Sequence, residues 1–290
     1  RNSAKKVLDN FNLEILKGEK IGIIGPSGGG KSTLGDILMG LLEPTEGVLE
    51  IDGIELNKNE KFSKNDWYKN ISHVPQDIFL IDGTVAENIA FGVPFEKIDK
   101  KKLMQVIDAS RLSNVIRNID DAFLTFVGER GSKLSGGQRQ RIGIARAFAG
   151  SPKIVVADEP VSALDVSVQA AVIELLIDIQ EKFDTTMLFI SHDLSVVRYV
   201  ADRVVVMYLG KIAETGTTEQ IFSPPYHPYT EALLSAVPIA DPDIKKRQIL
   251  LEGALPSPLN PPKGCVFNTR CPSAISGKCN VIEPPIQRLK

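Results

Sequence analysis

Three short stretches carry residue types that can do chemistry. The first, GPSGGGKS at 25–32, places four glycines ahead of a lysine and a serine. Glycines let a backbone approach a ligand closely, and N–H groups where such a loop opens a helix point at anionic oxygens, helped by the helix dipole. In this pattern Gly25, Pro26, Ser27, Gly28, Gly29 and Gly30 cradle phosphates, and Lys31 reaches the outer ones. Ser32 would hold Mg2+, with Thr33 beside it in the first helical turn. The second stretch, IVVADE at 154–159, runs four apolar residues into two acids. There Asp158 suits the outer shell of a metal, and Glu159 could polarise an attacking water. The third, KLSGGQRQRIGIARAFA at 133–149, sets Ser135, Gly136 and Gly137 at the mouth of a helix with three arginines.

These residues need elements to position them. KIGIIGPSGGGKSTLGDILMGLL (20–42) reads as a short buried strand, the glycine-rich loop and an amphipathic helix. GVLEIDGIEL (47–56) alternates around Asp52-Gly53, a hairpin signal for a small antiparallel sheet. NISHVPQD (70–77) predicts a strand ending at a proline, and 85–124 a mainly helical, polar stretch. KIVVADEP (153–160) predicts a fully buried strand, SVQAAVIELLIDIQEKF (167–183) a long amphipathic helix and TTMLFIS (185–191) a further strand. Strands alternating with helices predict a parallel sheet with crossover connections. Beyond Phe222 proline becomes frequent, so a boundary is expected there, with an irregular extension over 223–290.

Composition narrows the classes. With 43% hydrophobic and 24% charged residues in 290, the chain reads as globular, neither disordered nor fibrous. A net charge of -2 gives no reason to expect a nucleic-acid partner. The longest apolar runs, IGIIG and VVVM, fall far short of the roughly 20 residues a membrane helix needs. No signal peptide is visible, and the RNSAKK start without methionine is what a fragment would show.

With those residues in place, the chain resembles the ATP-binding cassette (ABC) transporter ATPases. LSGGQ (134–138) matches that family's signature, and the motifs follow in family order over 20–216. The resemblance implies an α/β phosphate-loop NTPase over 1–222, with a mainly parallel sheet, a small antiparallel β subdomain and a helical signature subdomain at about 78–150. ATP and Mg2+ are the implied ligands. Gln76 falls in the loop that touches Mg2+ and the transmembrane partner, and Asp165, in SALD (162–165), in the loop crossing a dimer interface. His192 matches the switch histidine that contacts the γ-phosphate. At the signature, the amides and the Ser135 hydroxyl, with Gln138 next in line, form an anion site that one subunit alone cannot fill. The family answers with a head-to-tail homodimer or a paired ATPase subunit, each signature capping the other's ATP. Arg139 and Arg141 are expected to face solvent or partner loops, and Arg146 to be structural.

Membrane permease subunits would be the further partners, placing the chain peripherally on the cytoplasmic face of the cell (inner) membrane. Upstream of the signature, HVPQDIFLIDGTVAENIAFG (73–92) and TFVGERGSKLSGG (125–137) resemble exporters and lipid flippases, with Glu129 in their coupling loop. Downstream, VVADEPVSALDVSVQAAVIELL and FSPPYHPYTEALLSAVP resemble oligopeptide, dipeptide and nickel importers, as does the whole extension. A hybrid could join within the shared LSGGQRQRIGIARA, by recombination or by faulty joining of sequence fragments. The expected function is ATP hydrolysis that powers peptide import; the alternatives are an exporter or flippase cassette and a soluble ABC ATPase. The last class usually carries coiled-coil inserts or paired cassettes, and the sequence has neither.

Two departures from the family stand out. The adenine usually stacks on an aromatic about two dozen residues before the phosphate loop. No aromatic precedes Phe11 here, and Phe11 reads as core, so weaker ATP binding is expected. Cys265, Cys271 and Cys279 resemble an importer tail in which four cysteines hold an iron–sulfur cluster; three make that site incomplete.

Overall fold

The computed structural model describes residues 6–56, 62–112, 116, 119–224, 226–237, 248–258 and 260–288. Except for Lys6, the RNSAKK start lies outside these residues. The chain opens with β1 (Lys20–Ile24), the glycine-rich loop and α1 (Lys31–Leu38). A hairpin of β2 (Glu50–Ile51) and β3 (Ile54–Glu55) follows, then α2 (Lys64–Tyr68) and β4 (Ile71–Val74). Next come α3 (Val85–Ile89), α4 (Lys100–Ala109), α5 (Ile119–Leu124) and α6 (Gly136–Phe148). β5 (Ile154–Asp158), α7 (Val166–Phe183), β6 (Thr186–Ser191) and α8 (Leu194–Val200) alternate strand and helix. The last elements are β7 (Arg203–Tyr208), β8 (Lys211–Thr217), α9 (Thr218–Ile221) and α10 (Pro228–Ala236).

Two compact units result, each assembled from separated segments. One combines the described residues of Arg1–Glu14, Ile21–Leu34 and Ser191–Lys290; the other combines Ile15–Lys20 with Gly35–Ile190. The described residues of 223–290 therefore share a unit with β7, β8 and the glycine-rich loop.

In the second unit β4, β5 and β6 pair in parallel, in that order. Val155, Val156 and Ala157 of β5 are buried, as a strand covered on both faces requires. Helix α7 covers its side of the core with Val172, Leu175, Leu176 and Ile179. Each such fully buried side chain contributes about 1.5–3 kcal/mol. The helix stops at Asp184, whose left-handed backbone (φ 49°) makes the C-cap. In the β2–β3 hairpin Asp52 and Gly53 both adopt positive φ, the geometry of a two-residue turn matched to strand twist.

In the first unit β1 pairs in parallel with β7, and β7 pairs antiparallel with β8. Strand β1 comes close to α8 at Gly22, where a Cβ would lie 2.3 Å from Val197 Cγ1. The end of β7 is aromatic: Tyr208 packs edge-on against Tyr229 at 4.8 Å and Phe267 at 5.1 Å, so the proline-rich extension closes onto the strand.

One expectation needs correcting: Phe11 is half-buried, not core. The stretch 85–124 is mainly helical as expected; among its described residues the helices are short, and Gly92, Pro94 and the Ser110–Arg111 turn lie between them.

Candidate functional site

The glycine-rich loop starts where β1 ends and closes where α1 begins. Gly25 lies against β7, and a Cβ there would meet Met207 O at 2.5 Å. Gly30 adopts φ +99°, a backbone region that side chains avoid. The Gly29 N–H donates to Pro26 O at 3.0 Å, and Gly29 O accepts from Gly210 N–H of the β7–β8 turn at 3.0 Å. The loop is thus fixed from outside before any ligand arrives.

Lys31, the first residue of α1, is only 7% exposed. Its Nζ donates to Gly25 O at 2.8 Å and Pro26 O at 3.1 Å. The ammonium therefore lies folded into its own loop, surrounded by the segment whose N–H groups would face an anion. A buried cation and a helix N-terminus at one place make an anion cradle, and polyphosphate fits it. Ser27, Gly28 and Ser32 are exposed, while Thr33 is half-buried. In the same unit His192 is exposed just after β6, and the next residue, Asp193, caps α8 by accepting from Ser195 N–H.

The other unit gathers the remaining motif residues at two places. At the first, parallel pairing sets Val74 of β4 opposite Ala157 of β5, so Gln76 and Asp158 leave the C-terminal ends of neighbouring strands. Ligands bind at such ends in open α/β sheets. Gln76 is exposed; Asp158 and Glu159 are half-buried. Glu159 has φ 45°, a strained value for a residue with a side chain. Its N–H donates to Ile190 O at 2.9 Å, and Ser162 donates to its carbonyl through both N–H and hydroxyl, at 3.2 and 2.9 Å.

The second place is the mouth of α6. Ser135 Oγ accepts from Gln138 N–H at 3.3 Å, and Gln138 Oε1 accepts from Ser135 N–H at 2.8 Å, a reciprocal capping box. The Ser135 side chain faces outward, and Gly136 and Gly137 supply first-turn N–H groups. Asp165 caps α7 by position and is exposed. The two helix starts touch: a Cβ on Gly136 would lie 3.4 Å from Leu164, and one on Gly137 only 2.9 Å from Val168. Ser135–Gly137 and Asp165 are therefore neighbours.

The structure also gives roles to Gly143, which the sequence did not explain, and to the three arginines of α6. Gly143 of α6 makes room for Ile78, whose side chain would lie 2.4 Å from a Cβ there, and so anchors the loop of Gln76. Arg139 donates to Leu134 O at 2.9 Å and Arg141 to Arg111 O at 2.8 Å, so both serve this chain's own carbonyls. Arg146 donates to Asn88 O at 2.7 Å and Phe79 O at 2.8 Å and stacks on Phe91 at 5.1 Å, a structural role as expected.

The cysteines give a different result. Cys265, Cys271 and Cys279 are free thiols. Cys265 N–H donates to Cys279 O at 2.8 Å, and Cys279 Sγ accepts from Ile275 N–H at 3.3 Å. Burial pushes the Cys271 thiol up, and neighbouring Cys265 and Cys279 push the same way. Among the described residues no group of three or more His, Cys, Asp or Glu is arranged to hold a metal ion.

Among the described residues no helix is long and apolar enough to cross a membrane. A family model described as "ABC transporter" matches residues 8–162, and one described as "Oligopeptide/dipeptide transporter, C-terminal region" matches 213–279. The oligopeptide transport ATP-binding protein AppF of Bacillus subtilis is 44% identical over 273 residues, covering 93% of this chain and 82% of that protein. The dipeptide transport ATP-binding protein DppF of Haemophilus influenzae is 41% identical over 297 residues, covering 98% and 86%. Both alignments run across the signature, through the exporter-like and importer-like parts alike. A solved bacterial Atm1-family ABC exporter with ATP bound aligns with a TM-score of 0.63 and 30% identity over 73% of this chain. The chain spans 36% of that exporter's own chain.

Proposed function

The chain belongs to the ATP-binding subunits of ABC transporters, and from that premise we propose that it powers peptide import. The observation that carries the peptide reading is the 213–279 match to the oligopeptide/dipeptide transporter C-terminal region. In this reading residues 1–222 bind and hydrolyse ATP, and 223–290 are the importer-type extension. The subunit works on the cytoplasmic face of the membrane, docked on permease subunits. Phe79 and Phe91, 62% and 56% exposed beside Arg146, offer apolar surface for that docking.

Each motif residue then has a task. Gly25–Gly30 hold phosphate oxygens through backbone N–H groups, and Lys31 stabilises charge on the transferring phosphoryl group. Ser32, Gln76 and Asp158 would hold Mg2+, which when bound neutralises charge on the phosphates. Glu159 orients and activates the attacking water, and His192 contacts the γ-phosphate. Ser135, Gly136, Gly137 and Gln138 form the signature half-site, and Asp165 lies at the dimer interface. ATP joins two such cassettes head to tail, so that each signature caps the nucleotide on the partner's phosphate loop.

The deciding variant is Glu159→Gln. It keeps ATP affinity while turnover falls by about 10²-fold or more, the usual contribution of a positioned general base. Turnover within tenfold of the parent would remove Glu159 from this role.

Export is the second reading, favoured by the likeness to the Atm1-family exporter. The gene neighbourhood separates the two: separate permease and binding-protein genes accompany an importer, a fused membrane domain an exporter.

A further inference from the structure

Lys211, the first residue of β8, joins two segments that lie far apart in the chain. Its Nζ lies 3.2 Å from Asp9 Oδ2 and 2.5 Å from Glu283 Oε1, and its side chain is 18% exposed. One ammonium therefore stands between a carboxylate ahead of the phosphate loop and a carboxylate of the extension. Without it the two like charges would face each other. Lys6, solvent-exposed and 4.0 Å from Asp9, is the weaker partner of that carboxylate.

Residues 7–9 lie against the phosphate loop. Asp9 N–H donates to Gly210 O at 3.1 Å. A Cβ on Gly210 would lie 1.9 Å from Val7 O, so the segment crosses the β7–β8 turn more closely than any side chain there would allow. A Cβ on Gly30 would lie 2.8 Å from Leu8 Cδ2 and 3.5 Å from Val7 O. Gly210 N–H in turn donates to Gly29 O. At the other end, Glu283 belongs to a braced stretch. Cys265 N–H donates to Cys279 O at 2.8 Å, and the N–H groups of Val281 and Ile282 donate to Lys278 O at 3.1 and 2.9 Å. A Cβ on Gly264 would lie 2.5 Å from Cys279 O and 2.8 Å from Val281 N, so the two backbones are in direct contact. Phe267, two residues beyond Cys265 and 1% exposed, packs edge-on against Tyr208 of β7 at 5.1 Å.

A loop that binds anions through backbone N–H groups binds most tightly when those groups are fixed beforehand, because ordering them on binding lowers affinity. We propose that Lys211 is a positioning residue for nucleotide binding: through it Glu283 of the extension holds residues 7–9 against the phosphate loop and so raises the loop's affinity for phosphates. This rests on the reading that the loop binds ATP. Lys211 touches no ligand; it acts through Asp9, the β7–β8 turn and the backbone of Gly29 and Gly30. Coupling of this kind is reciprocal, so bound ATP holds the extension to β8 more firmly by the same factor.

Titration calorimetry of the full chain with Mg2+ tests it, in the Glu159→Gln background and with ATP and inorganic tripolyphosphate as separate probes. Glu283→Gln alters a side chain that is 56% exposed, so folding is not at risk, and should weaken both ligands about threefold. Lys211→Met leaves Asp9 and Glu283 facing each other and should weaken both about tenfold, whereas Lys211→Arg should stay within about twofold of the parent. Adding Glu283→Gln to Lys211→Met should weaken neither ligand further, because the link is already cut. Unchanged affinities in Glu283→Gln and Lys211→Met overturn the proposal and leave the ATP reading standing, whatever melting curves show of the extension's stability. Additive losses in the double variant make the two ion pairs independent contacts and overturn the link. Weakening of ATP without weakening of tripolyphosphate overturns the route through the phosphate loop. A parent chain that binds neither ligand overturns the reading itself, and the proposal falls with it.

Discussion

The phosphate loop and the mouth of α6 are both glycine-rich entrances to a helix, yet they treat charge in opposite ways. Lys31 is 7% exposed and bends its ammonium back onto Gly25 O and Pro26 O, so that entrance carries a full positive charge. At α6, Ser135 is exposed and exchanges bonds with Gln138, and Arg139 spends a donor on Leu134 O. That entrance offers N–H groups, a hydroxyl and a dipole worth about half a charge. A polyphosphate can be held by the first entrance alone. The second can only add to a ligand whose charge is already compensated elsewhere. Under the proposed head-to-tail pairing, this difference is why the α6 entrance would act as a half-site and would need a partner's loop.

The largest effect is expected at the charged entrance. Lys31→Ala removes the only side-chain cation in the loop and should lower turnover by about 10²–10³-fold, the usual cost of deleting one donor aimed at developing charge. Phosphate release at saturating ATP is the measurement. A loss below tenfold would mean that the ammonium is needed to shape the loop and not to hold phosphate, and the contrast with α6 would disappear.

A smaller effect should follow at the neutral entrance, where two variants dissect one capping box. Ser135→Ala and Gln138→Ala each break the reciprocal pair and should each cost about 1 kcal/mol of stability, as lost caps do. If the hydroxyl also serves a ligand, Ser135→Ala alone costs about a further tenfold in turnover, the worth of one hydrogen bond to a charged group. Melting curves beside phosphate-release assays give both quantities. Equal losses in the two variants would reduce Ser135 to a helix cap.

Much of this contrast was readable before any coordinates. The apolar runs 21–24 and 154–157 are too short for helices and too continuous for half-exposed strands, which fixes them as buried parallel strands. The motif GPSGGGKS names its own strand–loop–helix context, and the period of 167–183 predicts α7 within a residue. What stayed hidden depends on residues far apart in the chain. Gly137 reads as an anion-site glycine, but Val168 explains equally well why it has no side chain. Gly143 reads as a weak point in a helix, and only Ile78 shows that the gap is filled. The tail reads as an irregular appendage because proline spacing carries no period; the Tyr208–Phe267 contact spans 59 positions that no local pattern encodes.

A third helix entrance sharpens the comparison, and it has the smallest expected effect. At α10 the cap is His227, whose Nδ1 accepts Tyr229 N–H at 3.1 Å while its backbone N–H donates to the Glu214 carboxylate at 3.0 Å. Phe267 packs against the ring at 5.7 Å. An imidazole can accept at Nδ1 only while that nitrogen carries no proton, so this entrance requires a neutral side chain where the phosphate loop requires a cation. Burial pushes the His227 pKa below its ordinary value, and the opposing pull of Glu214 is the lesser effect. Below the ordinary value, about 6.5, the unfolded chain then binds more protons than the folded one. The contribution to stability is complete above about pH 6.5 and is lost as pH falls through that value toward the lowered one. Exchange of the α10 amides, corrected for the intrinsic pH dependence of exchange, should therefore speed up about threefold between roughly pH 7.5 and 5.5. His227→Asn caps without titrating, so the same amides should lose that dependence. An unchanged slope in the Asn variant would assign the acid sensitivity to another group, and α10 would join α6 as an entrance indifferent to pH.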